Sequence, residues 1–165
     1  MRVAGLIQDS IVDGPGFRFV VFLQGCKLQC EGCHNPDAWD MDGGIEMTVD
    51  EIVAQMLSNP LTDGLTLSGG EPFLQAHECI SLAIAARDNN LNVWIYTGFT
   101  IEELMGLAEN DEEIRRLLEL THVVIDGKFI LKERTLSLRW RGSKNQRIID
   151  VQKSLRAQEA VEFGY

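Results

Sequence analysis

The chain has 165 residues, of which 45% are hydrophobic and 24% charged; this composition disfavours disorder, collagen-like sequence and a disulfide-stapled miniprotein. The length suits one compact domain, so we expect a single domain over residues 1–165. Lys and Arg number 15 and Asp and Glu number 25, giving a formal charge of −10, which argues against a nucleic-acid partner over the whole surface.

Membrane insertion is also not expected. The longest purely apolar runs, such as residues 19–23, are too short to cross a bilayer, and the first 25 residues hold no cationic stretch followed by an apolar one. We therefore expect a cytoplasmic protein with no membrane partner.

Strand-like and helix-like segments alternate along the chain, which is the pattern of a parallel sheet with crossover helices. The helices predicted at 48–58 and 100–110 each open with a Thr-x-x-Glu capping box. In chain order the predicted elements are strand 17–24, helix 48–58, strand 64–68, helix 75–90, strand 92–97, helix 100–110, helix 111–120, strand 122–126, strand 147–151 and a terminal helix.

This alternation predicts an α/β fold. At roughly 30 residues per strand-plus-helix unit the chain provides five or six units, whereas a closed eight-unit barrel takes about 250 residues. We therefore expect an incomplete parallel β/α barrel. Its open side would admit a substrate larger than a metabolite.

Unusual residues follow the ends of the predicted strands. A cysteine cluster follows the first strand, Ser-Gly-Gly-Glu-Pro at 68–72 the second, Thr97-Gly98 the third and Asp126-Gly127-Lys128 the fourth. Because the carboxyl ends of parallel strands share one edge where ligands bind, we expect these segments to converge. Taken alone, Thr97-Gly98 is more simply a tight turn.

Three of the four cysteines, Cys26, Cys30 and Cys33, form a C-x3-C-x2-C motif. An odd number of clustered thiols indicates metal ligands and not disulfides in a protein expected to be cytoplasmic, because a reducing compartment keeps thiols free. A cubane 4Fe–4S cluster needs a ligand on each iron, so three cysteines leave one iron open to an exogenous chelator. Cys79, within an apolar helical pattern, is more simply a small buried hydrophobe than the fourth ligand.

Zinc is the alternative metal for this motif. Cys26, Cys30, Cys33 and His34 together have the composition of a Cys3His site. Adjacent residues such as Cys33 and His34 seldom direct both side chains to one tetrahedral ion, and the chain has no second C-x2-C motif. The spacing therefore favours iron–sulfur over zinc and leaves a zinc-binding adaptor as the minor alternative.

The cysteine motif followed by Ser-Gly-Gly-Glu-Pro resembles the radical S-adenosylmethionine (SAM) superfamily. Over residues 13–147 the chain is similar to the family of anaerobic ribonucleoside-triphosphate reductase activating proteins. The motifs that carry this similarity are Asp13-Gly14-Pro15-Gly16-x-Arg18, Cys33-His34-Asn35-Pro36 with Trp39, Trp94-Ile-Tyr-Thr97-Gly98, Asp126-Gly127-Lys128-Phe129 and Trp140-Arg141-Gly142-Ser143-x-Asn145-Gln146. Pyruvate formate-lyase activating enzymes share the His-Asn pair but are typically longer, and the short deazapurine-synthase branch usually has Asp-Thr there.

The resemblance implies a radical SAM oxidoreductase with two cofactors, a 4Fe–4S cluster on the three cysteines and SAM on the open iron. Reductive cleavage of SAM would give a 5′-deoxyadenosyl radical that abstracts hydrogen from a glycine of the reductase and leaves a glycyl radical. Gly69, Gly70 and Glu71 map to the segment that contacts the methionine amino group. The other implied cofactor contacts are Gly32, His34, Thr97, Asp126, Lys128 and Asn145; for Asp126 and Lys128 a simple turn with a surface lysine is an equal alternative.

The implied partners are the anaerobic reductase and a flavodoxin-like electron donor. Residues 128–147 hold seven basic residues and one acidic residue, a net charge of +6, whereas residues 28–86 hold ten acidic and no basic residues. We hypothesise that the basic segment, through Arg139, Arg141 and Lys144, docks the donor or the reductase. The remaining alternatives are an activase of another glycyl-radical enzyme and a radical SAM enzyme acting on a small molecule.

Overall fold

Seven strands and five helices make up the fold. A computed structural model describes all residues, Met1–Tyr165. The strands are β1 (Arg2–Ser10), β2 (Arg18–Leu23), β3 (Ile45–Glu46), β4 (Gly64–Gly69), β5 (Asn92–Tyr96), β6 (Val123–Asp126) and β7 (Arg147–Asp150). The helices are α1 (Val49–Ser58), α2 (Ala76–Asp88), α3 (Ile101–Ala108), α4 (Glu112–Leu120) and α5 (Val151–Ala157). No helix combines the length and the apolar character that a membrane span requires.

The strands form one open, mixed sheet in the order β3-β1-β2-β4-β5-β6-β7. The central strands β2, β4, β5 and β6 are parallel, and they are joined by crossovers through α1, α2 and the α3–α4 pair. β1 runs antiparallel to β2, β3 antiparallel to β1, and β7 antiparallel to β6. The predicted α/β class is therefore confirmed, but the sheet is not parallel throughout.

The sheet differs from the expected five or six β/α units in two ways, the additional antiparallel strand β1 and the antiparallel direction of β7. Both differences have local causes. β1 was not predicted because Ala4 and Gly5, which have low strand propensity, interrupt its larger apolar side chains. Only Val3 and Ser10 of this strand are buried. A parallel neighbour needs a crossover, usually a helix. Between β6 and β7 the chain forms only a short 3-10 turn, Leu131–Glu133, and it returns antiparallel on the same edge of the sheet.

The predicted capping boxes start α1 and α3. In α1 the backbone N–H of Glu51 donates to Thr48 Oγ1 at 3.2 Å, and the Thr48 N–H donates to the Glu51 carboxylate at 2.8 Å. The same reciprocal pair joins Thr100 and Glu103. Each box satisfies two N–H groups that a helix start leaves unpaired, so these helix boundaries follow from local sequence.

The main core lies between one face of the sheet and the helices. A cluster of 26 buried residues takes members from all five helices and from alternate strand positions such as Phe19, Val21 and Leu23. The opposite face carries a smaller apolar group around Trp94, which Trp140 and Phe163 cover at ring-centroid distances of 5.1 and 5.7 Å. The helices therefore pack on one side only.

Arg18 is fully buried on this second face. Its guanidinium donates to Thr66 Oγ1 at 2.9 Å and to the Leu65 carbonyl at 2.6 Å, and it lies 5.6 Å from the Trp94 ring centroid. Burial lowers the pKa of Arg18 to about 10. Thr66 Oγ1 in turn donates to the Asp13 carbonyl at 2.8 Å, so the buried cation helps anchor the Asp-Gly-Pro-Gly loop to the sheet.

Candidate functional site

The carboxyl ends of β2, β4, β5 and β6 meet around one cavity of about 320 Å³, here called the site cavity. Its walls include residues at the end of each of these strands or in the loop that follows it. They are Cys26, Cys30 and Cys33 after β2, Ser68–Glu71 at the end of β4 and just beyond it, Thr97 and Gly98 after β5, and Gly127 after β6. The four segments that the sequence placed after strand ends therefore lie together.

The cysteines lie on a loop whose two ends are hydrogen-bonded to each other. The Gly25 N–H donates to the Ala38 carbonyl at 2.8 Å, and the Cys26 N–H donates to the Trp39 carbonyl at 3.3 Å. Between these ends Gln29 and Gly32 adopt positive φ values of 46° and 73°, which turn the chain back on itself. The loop is thus compact and folds back on itself beside the carboxyl ends of the parallel strands.

All three loop cysteines are free and half-buried. Burial raises the pKa of the Cys26 thiol, and the backbone N–H groups of Leu28 and Gln29 partly oppose this shift. The Asn35 N–H donates to Cys33 Sγ at 3.4 Å. The loop therefore supplies three soft sulfur ligands, one of which already accepts a backbone hydrogen bond.

Gly69 and Gly70 bring the end of β4 against the end of β2. The Gly70 N–H donates to the Leu23 carbonyl at 2.7 Å, and the Glu71 N–H donates to the Gly25 carbonyl at 2.9 Å. A Cβ on Gly70 would lie 2.3 Å from the Gly25 oxygen, and Gly69 has a φ of 89°. Both glycines are therefore required by the contact between these two strand ends, whatever binds in the cavity.

Glu71 joins β4 to β5. Its carboxylate is buried and accepts hydrogen bonds from Thr97 Oγ1 and from the Gly98 N–H, both at 2.9 Å, and from the Phe73 N–H at 3.2 Å. Burial raises the pKa of Glu71 to about 7, although the three donors act in the opposite direction. The side chain thus fixes the relative position of two walls of the site cavity.

The chain is similar to known proteins over most of its length. The sequence profile described as a 4Fe-4S single cluster domain matches residues 12–149. The anaerobic ribonucleoside-triphosphate reductase-activating protein of Vibrio cholerae is 36% identical over 145 residues, covering 83% of this chain and 90% of that protein. The chain belongs to the family of anaerobic ribonucleoside-triphosphate reductase-activating proteins.

Further relatives agree with this assignment. The reductase-activating protein of Enterobacteria phage T4 is 37% identical over 145 residues, covering 84% of this chain and 87% of that protein. A pyruvate formate-lyase-activating enzyme of Clostridium pasteurianum is 36% identical over 132 residues, which are 76% of this chain but 55% of that enzyme. The chain therefore covers nearly the full length of the reductase-activating proteins but only 55–64% of the length of the pyruvate formate-lyase-activating enzymes.

Of the nine cofactor contacts expected for a reductase-activating protein, five line the site cavity and four do not. Those on its walls are His34, Gly69, Gly70, Glu71 and Thr97. The other four are Gly32, Asp126, Lys128 and Asn145, and their surroundings differ. Gly32 and Lys128 are exposed, and the Asn145 amide donates to the Lys128 carbonyl at 2.8 Å.

Asp126 is buried and fully engaged within the protein. Its carboxylate accepts from the guanidinium of Arg147 at 3.0 and 2.5 Å and from the Ile101 N–H at 2.8 Å. Arg147 also pairs with the half-exposed Glu102 at 2.7 Å. The three charged side chains join β6, β7 and the start of α3.

We expect Arg147→Met to destabilise the apo protein by about 2 kcal/mol, because it leaves the buried Asp126 carboxylate without its cation. Glu102→Gln removes only the partly exposed ion pair between Arg147 and Glu102. We expect it to lower the free energy of unfolding by less than about 1 kcal/mol. Urea unfolding of both variants measures the difference. Equal effects of the two substitutions would contradict the assignment of Asp126 as the principal partner.

Cys79 and His34, the alternative fourth ligands for an iron–sulfur cluster and for zinc, lie in different surroundings. Cys79 is fully buried in the main core, and its Sγ lies 3.6 Å from the Pro72 carbonyl, as expected for a small hydrophobe. The His34 ring packs against Phe129 at a centroid distance of 4.9 Å. No three His, Cys, Asp or Glu side chains lie together around a single metal-ion position.

Several cavity-lining residues were not among the predicted cofactor contacts. They include Asp13, Tyr96, Gly127 and Gln146. Tyr96 could have been found from its alternation with Trp94 on β5, since residues two apart face the same side of a sheet. Gln146 belongs to the Gly-Ser-x-Asn-Gln motif, whose resemblance to family residues near the cofactor or the partner's glycine loop pointed to it. Its position before a strand did not place it at the cavity, because only the antiparallel direction of β7 brings it to the carboxyl edge of the parallel strands.

Gln146 shapes the last wall of the site cavity. Its side-chain oxygen accepts from the N–H groups of Gly142 and Ser143 at 2.9 and 3.2 Å, and its amide nitrogen donates to the Gly127 carbonyl at 3.1 Å. The loop before β7 is thereby fastened to the end of β6.

Proposed function

We propose that this chain is a radical SAM activase that generates the glycyl radical of an anaerobic ribonucleoside-triphosphate reductase, acting as one domain over residues 1–165. The observation that carries the proposal is the convergence of the three-cysteine loop with the Gly-Gly-Glu and Thr97-Gly98 segments on one cavity. Membership of the reductase-activating family supports the choice of partner.

The residues around the site cavity fit a 4Fe–4S cluster. Cys26, Cys30 and Cys33 are the proposed ligands, since thiolates are the ligands that iron–sulfur clusters prefer. The loop that holds them is closed by backbone hydrogen bonds at its base, and the Asn35 N–H already points at one sulfur. Three protein ligands leave one iron for SAM, by the logic of metal sites with an open position.

When bound, the cluster and SAM would supply a one-electron reductive cleavage of the sulfonium–carbon bond, giving methionine and a 5′-deoxyadenosyl radical able to take a hydrogen atom from the target glycine. The chain's own residues position and shield these groups. Gly69, Gly70 and Thr97 are proposed to approach SAM from the β4 and β5 walls, and His34 from the cysteine loop. Glu71, whose oxygens already accept three internal hydrogen bonds, holds those walls in place beside the SAM ammonium group.

For the four predicted contacts outside the cavity walls, we propose supporting roles. Gly32 permits the turn between the last two cysteines, where φ is 73°. Asp126 fixes Arg147 and the start of α3. The Asn145 amide donates to the Lys128 carbonyl and so joins the loop before β7 to the segment after β6.

We further propose that the open sheet is a partial β/α barrel whose missing wall admits a protein segment. Helices cover one face of the sheet, as on the outside of a barrel. On the inner face the structure has only loops and the chain's last residues around Trp94. A large partner could reach the strand ends from this side.

The decisive experiment uses protein purified without oxygen. The purified chain is expected to contain about four irons. Incubation with a reductant, SAM and the reductase is then expected to give a glycyl-radical doublet on the reductase in electron paramagnetic resonance. Deoxyadenosine formation without a protein radical would instead indicate a small-molecule enzyme or a different glycyl-radical partner. Zinc without iron would overturn the proposal in favour of an adaptor.

A flavodoxin-like protein is the proposed electron donor, and the basic segment 128–147 is the proposed contact for the donor or the reductase. Of the three cations assigned to docking, Arg139 and Lys144 are exposed. Lys128, Lys132 and Arg134 of the same segment are exposed as well, whereas Arg147 is bound to Asp126 and Glu102. Arg141 is half-buried, with its Nε unpaired. Arg139 and Lys144 are therefore the cations to test.

Arg139→Glu with Lys144→Glu is expected to weaken binding of at least one of the two partners about tenfold at low salt, with the difference shrinking as salt rises. Titration of each partner by calorimetry measures this effect. Lys153→Glu with Arg156→Glu on α5 changes the net charge equally and is the matched control. If neither partner's affinity responds to the first pair more than to the control, the segment has no docking role.

A further inference from the structure

The two edges of the sheet are covered to different extents. At the β7 edge, the backbone of residues 161–163 forms hydrogen bonds with Ile148 and Asp150, at 2.8 and 2.9 Å. At the other edge, β3 pairs only with residues 2–3 of β1. Residues 4–10 of β1, here called the open edge, have β2 on one side and no strand on the other.

The open edge lacks the features that usually prevent strand pairing. Folded proteins protect such edges with charged side chains, proline or a covering segment. Residues 4–8 are Ala-Gly-Leu-Ile-Gln, so this stretch is uncharged in a chain whose formal charge is −10. The irregularities in the pairing with β2 lie on either side of Gly5–Ile7, which itself pairs regularly. The open edge therefore presents free backbone N–H and C=O groups to another strand.

Exposed apolar side chains border the open edge. Ile7 is 44% exposed, and it faces away from the main core because its neighbour Leu6 packs against that core. The Asn59 amide donates to the Asp9 carboxylate at 2.5 Å, which holds the segment after α1 beside the end of β1. Leu61 of that segment is 66% exposed. Apolar side chains grouped in this way mark an interaction surface.

A second copy of the chain is the occupant that the open edge fits. The open edge is centred on Ile7, so its longest antiparallel pairing with itself has a two-fold axis at that residue. The two Ile7 side chains then face each other, and each Asp9 lies opposite Gly5 of the other copy. The two Asp9 carboxylates are four residues apart along the pair, roughly 13 Å, so no like charges oppose each other. Such a contact is self-complementary and closes at two copies.

We propose that the chain forms a two-fold dimer in which β1 pairs with β1 of a second copy, joining the two seven-stranded sheets into one. The antiparallel pairing reverses the strand direction between the copies. The carboxyl ends of their parallel strands therefore face opposite ways, and each copy keeps a complete site cavity of its own. The association does not depend on the proposed activity.

The test compares Ile7→Lys with Leu107→Lys. The two side chains are similarly exposed, at 44% and 42%, but Leu107 lies on α3, which packs against α4 and α5. Sedimentation velocity is measured on the full chain at about 1 to 100 µM. Wild type is expected to dimerise, more tightly as salt rises, because salt screens the repulsion between two acidic chains.

Ile7→Lys places two like charges opposite each other and removes the apolar contact at the axis. It is expected to raise the Kd of the dimer at least about tenfold, whereas Leu107→Lys is expected to leave it unchanged. A wild-type chain that stays monomeric over the whole range would overturn the proposal. Equal dimerisation of the two variants would also overturn it.

Amide hydrogen exchange of the wild-type chain gives a second measurement that does not depend on how Ile7→Lys folds. Outward-facing N–H groups of the open edge are expected to exchange more slowly at high protein concentration than at low concentration. Amides of β7 are already covered within one chain and should show no such difference. A dimer that leaves the exchange of the open edge unchanged would place the interface elsewhere and refute the assignment.

Discussion

Cys30→Ser is expected to abolish SAM cleavage, since the loop then offers two thiolates to a cluster that needs three protein ligands. The fold should survive, because Cys30 is half-buried on a loop whose base is closed by backbone hydrogen bonds from Gly25 and Cys26. Iron and sulfide content after oxygen-free reconstitution, deoxyadenosine release and far-ultraviolet circular dichroism measure the three parts of this expectation.

Cys79→Ser is the matched control, because it makes the same chemical change at a fully buried core position. It places a hydroxyl among apolar side chains, with only the Pro72 carbonyl nearby. We expect a loss of about 1–2 kcal/mol in unfolding free energy, with cluster content and SAM cleavage retained. Loss of the cluster in Cys79→Ser but not in Cys30→Ser would move the ligand assignment to the core cysteine.

Gly70→Ala is expected to destabilise the apo protein by about 4 kcal/mol and to prevent cluster assembly. Its Cβ would lie 2.3 Å from the Gly25 carbonyl oxygen, so the β4 and β2 ends would have to separate. That movement breaks the hydrogen bonds from Gly70 to Leu23 and from Glu71 to Gly25. Chemical unfolding and iron content after reconstitution measure the two effects.

Gly106→Ala provides the contrasting glycine. Gly106 is exposed within α3, and a Cβ there meets no atom within 4 Å, so alanine should stabilise the protein by about 0.5–1 kcal/mol through higher helix propensity. If Gly70→Ala and Gly106→Ala unfold at the same denaturant concentration, the close approach of the two strand ends is not what requires glycine at position 70.

The Gly-Gly-Glu segment has two structural roles. Its glycines let β4 and β2 meet, and its glutamate ties β4 to Thr97 and Gly98 after β5. Both contacts are internal to the protein. The segment is therefore needed to build the site cavity before any proposed contact with SAM is considered.

The sequence alone determined the features that depend on neighbouring residues. The capping boxes at Thr48 and Thr100 start their helices because the two partners are three residues apart. The cysteine spacing places three thiols on one short loop, and the apolar runs of β2, β4, β5 and β6 predicted the strands whose carboxyl ends carry the site.

Only the tertiary structure decided the features that depend on residues far apart in the chain. Ala4 and Gly5 interrupt the larger apolar side chains of β1, and it forms because β2 offers it a hydrogen-bonding edge. The direction of β7, set by a return without a crossover helix, brings Gln146 to the site and Arg147 to Asp126. Partners for Glu71 and Asp126 come from other strands, and burial raises the pKa of Glu71 to about 7. Such pairings follow from where packing places distant segments, which spacing along the chain does not encode.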